Sequence, residues 1–129
     1  MSTHNSRPAT VWVSVGLLLV LAFLSCVGGY LFNLSAADDV DDYVIGGAFV
    51  ALGSLYLVTA VRMPSGRPAW RAVALTAAAV HGVFNAVVKV GIERETESLM
   101  FVALTAALIL LLALPRSRAF FGGGQPALA

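Results

Sequence analysis

Residues 10–34 read TVWVSVGLLLVLAFLSCVGGYLFNL, twenty-five positions without a charge. Crossing ~30 Å of hydrocarbon takes roughly 20 helical residues, so this stretch is long enough to span a bilayer. In lipid every backbone N–H and C=O must be paired within the chain, which makes helix the required conformation. Three more apolar stretches follow, at 43–61, 69–90 and 98–114, none of them interrupted by proline. The whole chain agrees: its 129 residues are 59% apolar and 12% charged, with a mean hydropathy of +0.87. A soluble domain carries about 25% charged residues. Too few polar side chains are present here to cover a water-facing surface, and the same shortage excludes disorder. The expected fold is therefore all-α, an integral membrane bundle of four transmembrane helices.

Turn signals fall between the spans. The segment Met63-Pro64-Ser65-Gly66-Arg67-Pro68 separates the second from the third, and Pro115 follows the fourth directly. The expected organisation is a head at 1–9, a transmembrane domain at 10–114 and a flexible tail at 115–129. Basic residues decide the orientation. Arg7, Arg62, Arg67, Arg71, Arg116 and Arg118 fall on one side. Lys89 and Arg94 fall on the other, with all seven acidic residues: Asp38, Asp39, Asp41, Asp42, Glu93, Glu95 and Glu97. Short loops rich in Lys and Arg stay in the cytoplasm, so both termini are expected inside. The 38–42 run of four carboxylates lacks the spaced ligands and turn glycine of a calcium loop, and reads as a solvated, orientation-setting patch. Cleavage of the first span after Ser35-Ala36-Ala37, as a signal peptide, is the alternative. Its apolar core of about 20 residues exceeds the 7–15 of a signal core, so retention is expected.

The third span carries the candidate chemistry. His81, Asn85 and Lys89 are spaced by four and fall within about 80° of one helix face. Val80, Val83, Val87 and Val90 occupy the opposite one. In lipid the polar stripe turns into the bundle, and an ionisable residue at mid-span is a candidate functional residue. His81 is read either as a neutral imidazole hydrogen-bonded across the bundle, to Ser25 or another hydroxyl, or as a ligand-binding or proton-relay group. Lys89 can pair with Glu93, one turn on, or attract the acidic head or carbonyl of a bound molecule. Asn33 and Tyr30 of the first span are expected to join Asn85 and Lys89 around a shallow polar cavity. Small residues set the packing faces: Ser14, Leu18, Ala22, Ser25, Gly29 and Asn33 share one face of the first span, and Gly46, Val50, Gly53, Leu57 and Ala60 one face of the second. Phe49 is placed on a different face of the second helix. Cys26 alone forms no disulfide. No nucleotide-binding loop, HExxH or G-x-S-x-G motif is present, and neither an enzyme nor a nucleic-acid partner is expected.

Residues 46–57, GGAFVALGSLYL, followed by a basic proline-containing loop and a third helix with a central His81, resemble the small four-helix bacterial membrane proteins of the DoxX-like kind over about residues 43–114. Typical relatives often carry a second histidine where this chain has Asn85. The resemblance implies a bacterial inner-membrane location, and some members are linked to membrane redox complexes. Three functions are weighed. The first is a protein acting through helix packing, as a homo-oligomer or an accessory subunit of a membrane complex. The second is a redox-associated subunit binding a quinone or lipid-like ligand near His81, and the third a minimal transporter with a polar path along the third helix. No cofactor or metal is assigned. A quinone beside His81, or a haem held by His81 from two copies, are what the pattern would admit.

Overall fold

The computed structural model describes residues 8–35 and 40–122. Helices α1 (Ala9–Ser35) and α2 (Val40–Arg62) are followed by a short 3-10 turn at Met63–Ser65. Helix α3 (Pro68–Phe84) continues into a π-helical segment, Asn85–Ile92, where the third span was expected to be α-helical to residue 90. A second 3-10 turn, Thr96–Ser98, leads into α4 (Leu99–Ala113), and α5 (Pro115–Phe121) closes the described chain. No strand occurs among the described residues. Four stretches are long and apolar enough to cross a membrane: Ala9–Leu34, Val40–Ser65, Pro68–Ile92 and Thr96–Ala113. The protein is thus an all-helical, multi-pass membrane bundle. The head residues His4 and Arg7, the Asp38–Asp39 pair and the end of the tail lie outside the described residues.

Local chemistry sets the ends. Asp41 and Asp42 occupy the first turn of α2, where the helix dipole favours negative charge, and the helix begins three residues before the expected Tyr43. Pro68 stands in the first turn of α3, where its missing N–H costs no hydrogen bond. Gly66 turns the α2–α3 loop at φ 76°, a left-handed conformation natural to glycine. Leu114 is extended (ψ 147°), as the residue before a proline prefers, and this breaks α4 from α5. The Nε of Arg71 donates to the carbonyl of Leu112 at 2.9 Å, serving an oxygen near the end of α4.

Helix α1 packs along α2 and α3 along α4, and α1–α4 and α2–α3 contacts complete the bundle. The α1–α2 seam is close because glycine lines it. A Cβ on Gly53 would stand 2.8 Å from the Cys26 backbone nitrogen and 2.9 Å from the Ala22 carbonyl. A Cβ on Gly29 would stand 2.6 Å from the Gly46 carbonyl. Leu57, expected on this seam, is instead exposed, and Tyr56 and Thr59 are buried in its neighbourhood. Along the third span the alternation is largely as expected: Ala74, Ala78 and His81 are buried, while Val80 and Val83 of α3 and Val87 of the π-helical segment are exposed and Val90 is half-buried. In a bilayer these valines meet acyl chains, and their exposure carries no hydrophobic cost.

The tail departs from the expected flexibility. Residues 115–121 form α5, with Ser117 and Phe121 buried. The Ser117 hydroxyl donates to that of Thr10 at 2.8 Å, and the Phe120 ring lies against Gly66. Phe121 is therefore part of the core.

Candidate functional site

His81 is 2% exposed and lies beside three aromatic rings. Ring centroids stand 5.2 Å away for Phe101, 5.7 Å for Tyr56 and 6.0 Å for Phe49. The Tyr56 hydroxyl lies 2.9 Å from His81 Nδ1 and 3.4 Å from the Ala77 carbonyl oxygen. His81 Nε2 is buried and has no hydrogen-bond partner among the described residues. The sequence points to a hydroxyl partner for this histidine, and the structure supplies Tyr56 where Ser25 was named. The Ser25 hydroxyl is itself buried and has no hydrogen-bond partner among the described residues. Sequence reasoning passed over Tyr56, although its signal was available. A phenol in the middle of an apolar span needs a partner for its O–H just as the imidazole does.

Asn85 begins the π-helical segment and is 3% exposed. Its amide Nδ2 donates to the His81 carbonyl at 2.9 Å. A widened turn loosens the regular backbone ladder, and the amide supplies an extra donor to a carbonyl at that point. Single turns of this kind recur at functional sites. The backbone N–H of Glu93 donates to Val88 at 2.9 Å, so the wide register persists to the end of the helix.

Lys89 pairs with Glu93 at 3.1 Å, as its spacing suggested, and approaches Glu95 at 3.9 Å. Its Nζ also stands 5.7 Å from the centre of the Phe32 ring. The hydrogen bond from Lys89 holds the Glu93 carboxyl below its ordinary range. The hydrogen bond with Glu93 pushes the Glu95 carboxyl up, because it favours the protonated form of Glu95, and this outweighs the opposing pull of the Lys89 ammonium. Of the two roles expected of Lys89, the structure shows the pairing with Glu93, with Glu95 beside it.

Two cavities meet at Phe49. One, of about 330 Å³, is lined by Ile45, Ala48, Phe49 and Leu52 of α2 and by Val80, His81 and Phe84 of α3. Ala48 and Val80 on its rim are exposed, so it opens sideways between two helices. The other, of about 280 Å³, lies among α1, the π-helical segment and α4, with Ser25, Phe49, Asn85, Lys89, Glu95 and Phe101 in its wall. Phe49 belongs to this site, packing edge-on against Phe84 at 5.9 Å, and is not the inert position its helix face suggested.

Of the expected ligand-binding residues, His81, Asn85 and Lys89 come together around these cavities. Asn33 and Tyr30 line neither. Asn33 turns its amide oxygen against Gly46, in the α1–α2 seam, and Tyr30 is 61% exposed. Helical phase is the cause: Asn33 stands four residues beyond Gly29 and shares its face. Among the expected packing residues, Gly29, Gly46 and Gly53 form that seam and Ala60 lies in the core, whereas Ser25 belongs to the second cavity. No protein-family model matches the chain, and no curated protein or solved structure matches it either.

Proposed function

We propose that this protein binds a neutral, lipid-soluble molecule with an oxygen-bearing head, within the bilayer, in the cavity beside His81. One observation carries the reading: His81 Nε2 is buried with no hydrogen-bond partner among the described residues, at a cavity of about 330 Å³ walled otherwise by apolar side chains. An unpaired buried polar group costs about 1–3 kcal/mol. Lipid supplies no water to offset that cost, so a ligand oxygen is the natural partner. The cavity opens between α2 and α3, the side from which a molecule dissolved in the hydrocarbon would enter. Its aromatic wall suits a flat head, since offset and edge-to-face ring contacts are favourable. The pairing of Lys89 with two carboxylates argues against an anionic head. A DoxX-like reading of residues 43–114, with its membrane-redox associations, points the same way. The oligomer reading rests on small-residue faces, and α1 and α2 use those faces on each other.

The test is photolabelling in lipid nanodiscs with an aryl ketone bearing an octyl chain. Label is expected within residues 45–52 and 80–84. Ala48→Trp places a large ring in the cavity mouth from an exposed position that tolerates bulk, and should abolish the label while the protein remains folded. Label that ignores Ala48→Trp would remove this cavity as the binding site.

A further inference from the structure

The Tyr56 hydroxyl has one hydrogen and two acceptors within reach, His81 Nδ1 at 2.9 Å and the Ala77 carbonyl at 3.4 Å. A neutral imidazole likewise has one hydrogen and two nitrogens. These two facts are linked. When Tyr56 donates to Nδ1, the ring hydrogen sits on Nε2, and His81 offers a donor to the cavity. When Tyr56 donates to Ala77, Nδ1 carries the hydrogen and donates to the phenol oxygen, and Nε2 becomes an acceptor. Both arrangements keep Tyr56 and Nδ1 satisfied, and neither changes the charge of the site. Nδ1 and Nε2 exchange donor and acceptor roles, but Nδ1 stays paired with Tyr56 in both arrangements, so the reversal is felt at Nε2, which has no hydrogen-bond partner among the described residues.

Resting on the ligand-binding reading above, we infer that this site takes both members of a lipid-soluble carbonyl/hydroxyl pair, with Tyr56 as the hydrogen-bond rotor that lets His81 donate to the carbonyl form or accept from the hydroxyl form. A quinone and its quinol, or a ketone and its alcohol, are such pairs. A fixed donor would discriminate between them, because the wrong partner leaves a buried polar group unpaired. Tyr56 is a positioning residue here, since it acts through His81 and does not touch the ligand. The Nε2 atom is screened from solvent, so the rings packed around His81, those of Phe49 and Phe101 among them, must give way as the ligand head enters. Ligand binding then selects between two pre-existing tautomers.

The experiment reads the ring nitrogens of His81 by 15N NMR in nanodiscs, with octanophenone and with the secondary alcohol formed by reducing it. The ketone should place the hydrogen on Nε2 and the alcohol should place it on Nδ1, with similar affinity for both. Tyr56→Phe removes the rotor. A buried orphan N–H is the less tolerated state, so Nδ1 should then stay bare and Nε2 protonated. The variant should favour ketone over alcohol by about tenfold, the scale of one net hydrogen bond. Binding of both probes with one unchanging tautomer would overturn the rotor and leave the ligand site standing. So would an unaltered ketone-to-alcohol ratio in Tyr56→Phe. Binding of neither probe, with no response at the ring, would overturn the ligand site and the rotor together.

Discussion

Arg94 stands at φ 60°, the only residue other than glycine with positive φ among those described. It ends the wide-turn helix by reversing the chain, which brings the Glu95 N–H back to the Lys89 carbonyl at 2.8 Å. Left-handed residues commonly close helices in this way, and glycine is the usual choice. A side chain in that conformation costs roughly 1–2 kcal/mol. The position nonetheless delivers Glu95 to Lys89 and so helps to neutralise the cation at the mouth of the second cavity. Arg94→Gly should therefore raise thermal stability by the equivalent of about 1 kcal/mol while the Lys89–Glu93–Glu95 cluster persists. Thermal denaturation in detergent measures this, and a loss of stability would mean that the Arg94 side chain has a role beyond the turn.

At the level of elements, the seam between α1 and α2 depends on backbone approach. Gly53 meets the Cys26 backbone and thiol and the Ala22 carbonyl, whereas Gly47 on the same helix has no atom within 4 Å of where its Cβ would be. Gly53→Leu should thus separate the two helices and cost roughly 1–3 kcal/mol, the range for overpacking a filled interior. Gly47→Leu should change stability by no more than about 0.5 kcal/mol, as exposed substitutions do. The pair is compared by melting in detergent, and equal effects would remove the seam. The α3–α4 contact has its own close approach, since a Cβ on Gly82 would stand 2.6 Å from the Thr105 hydroxyl. Spacing arguments omitted Gly82 because a single glycine on a mixed face leaves no stripe.

Across the whole molecule, charge separates the two ends. Arg71 bonded to Leu112, Ser117 bonded to Thr10 and Phe120 against Gly66 gather the basic loop, the N-terminal end of α1 and α5 at one end. The Lys89–Glu93–Glu95 cluster stands at the other, near Phe32. The positive-inside rule predicts a cytoplasmic position for the arginine end. A reporter active only in the cytoplasm should work when fused after Ala129, and one active only outside should work within residues 38–42. An external signal from the Ala129 fusion, or a mature chain beginning at Asp38, would contradict this topology.

The number of spans, their helical state, the segregation of charge and the inward turn of the His81–Asn85–Lys89 stripe were legible in the chain alone. Each depends on sums over neighbouring residues: hydropathy across about 20 positions, charge in short loops, a repeat near 3.6. The Lys89–Glu93 pair belongs with them, because its partners sit one turn apart on one helix. What faces His81 was decided only by tertiary structure. Whether Ser25 or Tyr56 reaches the imidazole depends on the rotation of α1 and α2 about their own axes, and the glycine seam sets that rotation through backbone contacts that no periodicity reports. The same rotation left Tyr30 outside, whereas the place of Asn33 in the seam follows from its phase with Gly29. The wide turn at Asn85 shifts the register of Lys89 against α1 and α4, an offset invisible to a 3.6-residue pattern. Helix α5 escaped notice because its seven residues are too few to show amphipathic repeat, and its burial comes from partners 54 and 107 positions away, Gly66 beside Phe120 and Thr10 beside Ser117. Local sums select the helices and their sidedness, and packing between distant segments selects the atoms that meet.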